Sequence, residues 1–233
     1  MKSLKEAVDS FSHIFFPHIC VGCGSDLISD DQLLCLRCIN KLPVTHFELH
    51  ANNPVEKIFW GRAAISSASA QYYFTKDSIL QQILHQFKYK GKKDIGLYFG
   101  RMIGEALCQS NRFTNIDALV PMPLFASREK RRGYNQAAVL AEGISSVIKL
   151  PVLTDCIERT TATETQTQKN RMERWQNISG KFRLKNKEPL FGKHILLVDD
   201  VITTGATLDA CANEFLLEEN IRVSVATLAY AQS

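Results

Sequence analysis

The sequence lacks any apolar run close to the ~20 residues that a transmembrane helix requires, so no membrane insertion is predicted. A secretory signal is also missing, because Lys5, Glu6 and Asp9 interrupt the stretch where its apolar region would lie. There is no N-terminal nucleophilic cysteine and no second domain long enough to hydrolyse glutamine, which argues against a glutamine-dependent amidotransferase. A cytoplasmic protein of another class is therefore expected.

Charge of one sign is not in strong excess either. The 233 residues carry a net charge of +4, but residues 1–60 hold five basic and seven acidic side chains, against 23 and 17 in the remainder. Basic residues cluster at 88–93, 128–132 and 169–187. An anionic substrate would use such clusters, although solvated surface charge explains any single lysine about as well.

Four of the seven cysteines form a compact pattern, in which Cys20 and Cys23 are followed, after eleven residues, by Cys35 and Cys38. Two C-x2-C pairs at such a distance are typical of paired knuckles that donate four thiolates to a tetrahedral zinc ion. A zinc ion with four protein ligands has no open position for water, so its role would be structural. Two redox-active pairs are the competing interpretation. Three further cysteines are expected to be buried thiols: Cys108, Cys156 and Cys211.

The stretch His194–Asp209 carries the strongest functional signal. Branched apolar residues at Ile195–Val198 predict a fully buried parallel strand, which ends at Asp199 and Asp200. A loop of hydroxyl residues around Gly205 follows, and apolar spacing then predicts an amphipathic helix. Backbone N–H groups at a helix N-terminus bind phosphate, while carboxylates suit sugar hydroxyls or a hydrated divalent cation. This order indicates a phosphorylated sugar, with an ordinary threonine-capped strand–turn–helix as the alternative.

Hydrophobic periodicity predicts the other elements. An amphipathic helix is expected at residues 2–16, packed on its own chain rather than on a membrane surface. Residues 44–60 have the aperiodic, polar character of a linker. The remaining predictions are strands at 63–74, 116–123 and 222–229, helices from Ser78, over 95–108 and up to Leu150, and an exposed arm from Arg159 that becomes helical at 169–177.

Leu124–Gln136 is a polybasic, aromatic-containing segment with an internal glycine. Such a segment resembles a mobile lid that closes over an anion and excludes water. Arginine suits this role because its planar guanidinium donates two hydrogen bonds to one phosphate, and Arg131 and Arg132 are the candidates. A nucleic-acid-binding or nuclear-localisation patch has a similar composition.

Residues Ile195–Thr207 match without a gap the 5-phosphoribosyl-1-pyrophosphate (PRPP) motif of type I phosphoribosyltransferases, and the chain thus resembles that family. The resemblance implies that Asp199 and Asp200 are the catalytic acids that hold the ribose hydroxyls. The phosphate contacts that it implies are Val201, Thr203, Thr204, Gly205, Ala206 and Thr207. It also implies a pyrophosphate-binding turn, which FKYKG matches, with Lys88 as the first candidate and Lys90 as the reserve.

Further segments resemble one branch of these proteins. They are VPMPL and RRGYNQ within 120–136, the pattern R…TQTQ…R…R…N…G.F within 159–182, and the four cysteines. Together with the PRPP motif they are similar to the ComF family, also described as GntX-like or predicted amidophosphoribosyltransferase proteins. The family implies a small zinc-ribbon module before an α/β type I phosphoribosyltransferase fold, a parallel sheet flanked by helices. Here residues 1–60 would form the N-terminal helix, module and linker, and 61–233 the phosphoribosyltransferase-like domain.

The resemblance implies that magnesium-bound PRPP loses pyrophosphate while a nitrogen nucleophile attacks C1 of the ribose. Magnesium would arrive mainly with the substrate. The acceptor is unknown, and residues 63–74 with the preceding linker are the expected hood that selects it. Two other interpretations are a non-catalytic PRPP- or single-stranded-DNA-binding protein that acts with competence proteins in DNA uptake, and a structural zinc adaptor. The acidic balance of residues 1–60 favours 128–132 and 169–187 for DNA contact.

Overall fold

The computed structural model describes residues 18–26, 28–29, 32–160 and 181–232. The helix predicted at residues 2–16, most of the arm that follows Arg159 and its helical portion at 169–177 lie outside the described residues. Among the helices of the described part, none has both the length and the apolar character needed to cross a bilayer.

The described elements follow one another in a mixed order of helices and strands. They are α1 (Leu36–Ile39), a 3-10 turn (Phe47–Leu49), α2 (Pro54–Phe59), β1 (Ile65–Phe74), α3 (Ile79–Tyr89), α4 (Lys93–Cys108), β2 (Ala118–Pro121), α5 (Ala126–Arg132), α6 (Gln136–Ile148), β3 (Ile157–Arg159), β4 (Phe182–Leu184), a second 3-10 turn (Glu188–Leu190), β5 (His194–Ile202), α7 (Ala206–Leu216) and β6 (Arg222–Ala231).

A four-stranded parallel sheet in the order β1-β6-β5-β2 forms the centre of the fold. β5 has a neighbour on each side, and Ile195–Val198 are completely buried, as the branched apolar run predicts. Alternate residues of β5 enter the two cores, because successive side chains of a strand point to opposite faces. Leu196 and Val198 pack with α3, α4 and α6, whereas Ile195 and Leu197 pack with α2 and α7. The predicted α/β class, a parallel sheet flanked by helices, is confirmed.

The segment at 44–60 is folded, so its prediction as a linker is wrong. Asn53 begins α2 by accepting hydrogen bonds from the backbone N–H groups of Val55 and Glu56, and its side-chain amide donates to the Ala68 carbonyl at 2.8 Å. Val55 and Phe59 are then almost fully buried. A helix of six residues is too short to show periodicity in the sequence, and its stability comes from these packed side chains.

The strand prediction at 63–74 is confirmed by β1, but the prediction that this segment forms a hood is wrong. β1 runs parallel to β6 within the central sheet, and its residues 67–72 are buried. A separate antiparallel ribbon, formed by β3 and β4, packs on α7. The sequence did not distinguish a strand of the central sheet from a strand of a separate hood, because small residues of this kind fit an edge strand in either place.

The cysteine-containing segment packs directly on the main core. Cys20, Leu34 and Cys38 are buried in the same cluster as the apolar face of α3. Gln86 on α3 also donates a hydrogen bond to the Val21 carbonyl at 2.7 Å. The domain boundary at residue 60 stays a prediction.

Candidate functional site

A cavity of about 200 Å³ opens at the carboxyl ends of β2 and β5. Parallel sheets place ligands at this edge, where loops between strands and helices converge. The end of β5 and the loop that follows form one side of the cavity, and α3, α5, α6 and β3 contribute to the others. One contiguous segment and several distant ones therefore meet around the same space.

Asp199 and Asp200, the acidic pair, lie where β5 reaches the cavity. The backbone N–H of Asp200 donates to Asp199 Oδ1 at 2.8 Å, and Lys88 Nζ lies 2.7 Å from Asp200 Oδ2. Burial, and then the neighbouring Asp200 carboxylate, raises the pKa of Asp199 to about 7, although Lys88 and Arg159 act in the opposite direction. The pair therefore carries fewer than two full negative charges near neutral pH.

The loop at residues 201–207 joins the acidic pair to α7 and lines the cavity along its whole length. Gly205 adopts a left-handed conformation with φ of 70° at the N-terminus of α7. A Cβ atom there would lie 2.3 Å from Ile58 Cγ2, so close packing on α2 also requires glycine. The helix N-terminus leaves backbone N–H groups without helical partners beside the threonine hydroxyls. This combination can bind an anion.

Four cations also line the cavity, and we call them the basic wall: Lys88, Arg128, Arg132 and Arg159. The guanidinium of Arg132 lies 5.6 Å from the ring of Tyr89 and donates to Gln136 Oε1 at 2.6 Å. That of Arg128 lies 5.7 Å from the ring of Phe125. Aromatic faces hold guanidinium groups in position while leaving donors at their edges.

Arg159 is the most firmly placed member of the basic wall. Its guanidinium lies 4.1 Å from the ring centre of Phe125 and 5.4 Å from that of Phe182. Burial, followed by the nearby charge of Arg128, lowers the pKa of Arg159. Its buried Nε has no hydrogen-bond partner among the described residues. A desolvated cation of this kind is suited to an anionic ligand.

Only part of the predicted basic set reaches the cavity. Lys88 and Arg132 line it, whereas Lys90 lies on a separate polar groove and Arg131 is exposed away from it. Helical geometry explains the position of Arg131, because a residue one position away points about 100° around a helix, whereas Lys90 follows the last residue of α3. Arg128, which the sequence did not single out, lies four residues before Arg132 and shares its face.

Arg159 was also missed as a site residue, although it begins the TQTQ-containing pattern. Its place beside Asp199 arises from the β3–β4 ribbon, which no local periodicity indicates. The pattern itself, a lone arginine before a threonine-rich stretch, was the only available signal.

The four predicted metal ligands come together. The Sγ atoms of Cys20, Cys23, Cys35 and Cys38 lie within 4.8 Å of one another, and those of Cys23 and Cys35 are 3.8 Å apart. Zinc–sulfur bonds of about 2.3 Å in a tetrahedron would separate the sulfurs by about 3.8 Å. A Cβ on Gly22 would lie 2.9 Å from Cys38 Sγ, so the turn must be glycine for the sulfurs to approach. This cluster could hold a metal ion.

Hydrogen bonds also favour a thiolate in this cluster. Burial raises the pKa of Cys20, but backbone N–H groups of Cys35, Cys23 and Gly22 outweigh it and lower the value to about 6. The Cys35 N–H donates to Cys20 Sγ at 3.3 Å. Burial, and then the three neighbouring thiols, raise the pKa of Cys38, so all four sulfurs would be thiolates together only with a cation bound between them.

The remaining cysteines divide into two groups. Cys156 and Cys211 are buried as predicted, and burial raises the pKa of Cys156 to about 11. Cys108 is exposed, so its predicted burial is wrong. It is the last residue of α4, on the face that points away from the core.

Comparisons with known proteins identify the family of this chain. The family described as "Phosphoribosyl transferase domain" matches residues 130–233. "DNA utilization protein YhgH" of Escherichia coli K12 is 30% identical over 85% of this chain and 84% of its own length. "Competence protein F" of Haemophilus influenzae is 31% identical, with 84% of this chain and 83% of that protein covered.

A solved structure, the glutamine PRPP amidotransferase of B. subtilis complexed with ADP and GMP, is similar with 15% identity and a TM-score of 0.38. The similarity covers 60% of this chain and 30% of that one. The domain match and the relatives, together with the parallel sheet, place the chain among proteins with the type I phosphoribosyltransferase fold.

Proposed function

This chain belongs to the ComF family, and on that premise we propose that it binds magnesium-bound PRPP and transfers the 5-phosphoribosyl group to a nitrogen acceptor, releasing pyrophosphate. The observation that carries the proposal is the convergence of three chemically different surfaces on one cavity. The acidic pair, the 201–207 loop and the basic wall all line it. PRPP carries a matching part for each surface: a ribose, a 5-phosphate and a pyrophosphate.

Charge and hydrogen bonding assign the parts of PRPP to these surfaces. The 5-phosphate binds the backbone N–H groups and hydroxyls of the 201–207 loop. The ribose hydroxyls donate to Asp199 and Asp200. Arg128, Arg132 and Arg159 receive the pyrophosphate, because guanidinium groups donate two parallel hydrogen bonds to phosphate oxygens. Lys88, the fourth member of the basic wall, is paired with Asp200 at 2.7 Å.

In the reaction, the bond from C1 to the pyrophosphate oxygen breaks and its electron pair leaves with pyrophosphate. The nitrogen lone pair forms the new bond to C1, and the nitrogen then loses a proton. Positive charge develops on the sugar, close to the acidic pair, while negative charge grows beside the basic wall. Fixed charges of the right sign stabilise such a transition state without reorganisation. Magnesium enters with PRPP and offsets the charge of its pyrophosphate.

A second candidate function is the binding of single-stranded DNA in DNA uptake. It is favoured by one observation, an exposed aromatic ladder that leads toward the cavity. Tyr89 is 56% exposed, and its ring centre lies 5.0 Å from that of His85 and 5.6 Å from the guanidinium of Arg132. Bases stack on such rings while nearby cations hold the phosphates. The relatives named for competence and DNA utilization fit this context.

The DNA candidate is tested by fluorescence anisotropy of a labelled single-stranded oligonucleotide. Replacement of Tyr89 by alanine should weaken binding about tenfold, since stacking contributes about 1–3 kcal/mol per base. The matched control is Trp60→Ala, because Trp60 is equally exposed but lies elsewhere. Equal affinities for the wild type and Tyr89→Ala would remove the ladder from consideration.

The four-cysteine cluster is proposed to hold a structural zinc ion, in a reducing cytoplasm that keeps its thiols free. Metal analysis of the purified protein should then give one zinc per chain. Cys38→Ser should lower that content and the free energy of unfolding, because Cys38 is buried beside Leu34 in the main core. Cys108→Ser serves as the control at an exposed thiol.

The proposed transfer reaction is tested first by calorimetric titration with magnesium and PRPP. We expect micromolar binding by the zinc-loaded protein and at least a hundredfold weaker binding by Asp199→Asn/Asp200→Asn. Asp155→Asn is the control, since this exposed carboxylate does not line the cavity. Pyrophosphate release can then be screened across nitrogen compounds. Absence of PRPP binding by the wild type would contradict the proposal.

A further inference from the structure

Arg62 supports the 201–207 loop from the side away from the cavity. Its Nη1 donates to the carbonyl of Thr204 at 3.0 Å and to that of Ile58 at 3.3 Å. Its Nη2 lies 3.3 Å from Asp209 Oδ2. Arg62 itself is not among the residues that line the cavity. A single guanidinium thus joins the end of α2, the loop and the first turn of α7.

The contact to Thr204 fixes the direction of a peptide group in the loop. In a trans peptide the carbonyl and the N–H point in opposite directions within one plane. Because the Thr204 carbonyl points to Arg62, the N–H of Gly205 points away from it, toward the side where the loop lines the cavity. Arg62 therefore holds a donor in the orientation that a phosphate needs.

The contact to Asp209 offsets a charge that opposes phosphate binding. Asp209 lies in the first turn of α7, and its side chain is only 10% exposed. An uncompensated carboxylate there would repel an anion held at the same helix N-terminus. In the described part of the chain, Arg62 is the cation paired with it.

We propose that Arg62 is a positioning residue for the 5-phosphate, which it serves by orienting the Thr204–Gly205 peptide and by neutralising Asp209. The inference rests on the proposed function, since it requires the loop to receive the phosphate of PRPP. Arg62 touches no substrate itself. Its effect should fall on the 5-phosphate end of PRPP and leave the pyrophosphate end unchanged.

The test uses two probes, ribose 5-phosphate and inorganic pyrophosphate with magnesium, titrated calorimetrically into the full-length protein. Arg62→Met should weaken ribose 5-phosphate binding about tenfold or more, the range expected for a lost charged hydrogen bond. Pyrophosphate affinity should stay within about twofold, since its proposed contacts lie on the basic wall. Arg62→Lys keeps the positive charge but loses the planar guanidinium that donates to several partners. Its affinity for ribose 5-phosphate should lie between those of the wild type and Arg62→Met.

Arg112→Met is the matched control for stability. Arg112 pairs with Glu56 and donates to the His50 carbonyl, so it also braces the segment before β1 without touching the loop. We expect it to lower the unfolding temperature as Arg62→Met does, with ribose 5-phosphate binding unchanged. Arg62→Met/Asp209→Asn separates the two effects, because recovery of affinity would assign the loss to the carboxylate and no recovery would assign it to the peptide.

Three outcomes would overturn the proposal in different ways. Wild-type affinity of Arg62→Met for ribose 5-phosphate would refute the role of Arg62 alone. A parallel loss of ribose 5-phosphate and pyrophosphate binding would likewise show general damage rather than positioning. Failure of the wild type to bind ribose 5-phosphate or PRPP would overturn both this inference and the proposed function.

Discussion

The 201–207 loop and the basic wall line the same cavity, yet they are built in opposite ways. The loop is a single stretch whose donors are mainly backbone N–H groups, fixed by a strand before it and a helix after it. The wall consists of four side chains from α3, α5 and β3, of which the three arginines lie against aromatic rings and Lys88 is paired with Asp200. Phosphate binding by the loop therefore depends mainly on its backbone conformation, whereas single substitutions can remove the cations of the wall one at a time.

This difference also separates two kinds of recognition. Backbone donors at a helix N-terminus select a phosphate by shape and cannot be replaced one by one. Guanidinium groups on aromatic faces form an adjustable surface that tolerates a departing anion. The proposed reaction needs both, because the 5-phosphate must stay in place while pyrophosphate leaves.

The largest effect is expected from Gly205→Ala. The substituted residue would be held in an unfavourable left-handed backbone conformation, and its Cβ would clash with Ile58. We therefore expect a loss of ~2–4 kcal/mol in the free energy of unfolding. Ribose 5-phosphate binding should fall about a hundredfold, or roughly 2.7 kcal/mol. Gly192→Ala is the control, since Gly192 has the same sign of φ but open space around it. Equal effects of the two changes on binding would contradict the backbone role of the loop.

The second-largest effect is expected from a substitution in the basic wall. Arg159→Met should weaken pyrophosphate binding about 10- to 30-fold, as expected for a lost charge-assisted contact, while ribose 5-phosphate affinity stays nearly constant. Calorimetry with each probe separates the two. Arg131→Met is the control at an exposed arginine outside the cavity. Unchanged pyrophosphate binding by Arg159→Met would contradict the assignment of pyrophosphate to the basic wall.

The acidic pair should make ribose binding depend on pH. Asp199 has a pKa of about 7, so it is mostly protonated at pH 6 and mostly ionised at pH 8. If the ionised form accepts the ribose hydroxyls, affinity for magnesium and ribose 5-phosphate should rise about tenfold over this interval. In Asp199→Asn only the titration of the phosphate, near pH 6, should remain. A pH-independent wild type would remove Asp199 from ribose binding.

The raised pKa of Asp199 also makes the free energy of unfolding depend on pH, in the direction opposite to its effect on ribose 5-phosphate affinity. The folded protein binds a proton at Asp199 between the unfolded pKa near 4 and the folded pKa of about 7. Stability from this group is therefore present at low pH and is lost as pH rises through 7. Asp199→Asn should raise the midpoint of urea unfolding at pH 8 more than at pH 6, with Asp155→Asn as the control.

The smallest effect is expected from Lys88→Met. Lys88 pairs with Asp200 at 2.7 Å and lowers the pKa of Asp199. Its removal should shift the pH midpoint of ribose 5-phosphate binding upward by about half a unit to one unit. Lys90→Met should not shift it, because Lys90 lies outside the cavity. A downward shift after the loss of Lys88 would contradict this arrangement of charges.

Sequence prediction succeeded where the relevant residues are close together in the chain. The buried strand at Ile195–Val198, the acidic pair and Gly205 follow one another, so a local pattern carried the whole arrangement. The cysteine spacing likewise predicted a cluster that the structure assembles. The prediction failed at residues 44–60, because the six-residue helix there is stabilised by the packing of Val55 and Phe59 on residues that are distant in the chain.

What the amino-acid sequence determined by itself was the chemistry of contiguous segments: a parallel strand, two carboxylates, a hydroxyl loop, a helix and a pair of C-x2-C knuckles. These depend on side-chain spacing and backbone preference within a few residues. Tertiary structure alone decided that Arg128 and Arg159 line the same cavity as Asp199, that Lys90 and Arg131 do not, and that Arg62 braces the loop. The reason is physical, because a basic side chain acquires a role only from the charges and surfaces that folding brings within a few ångströms of it.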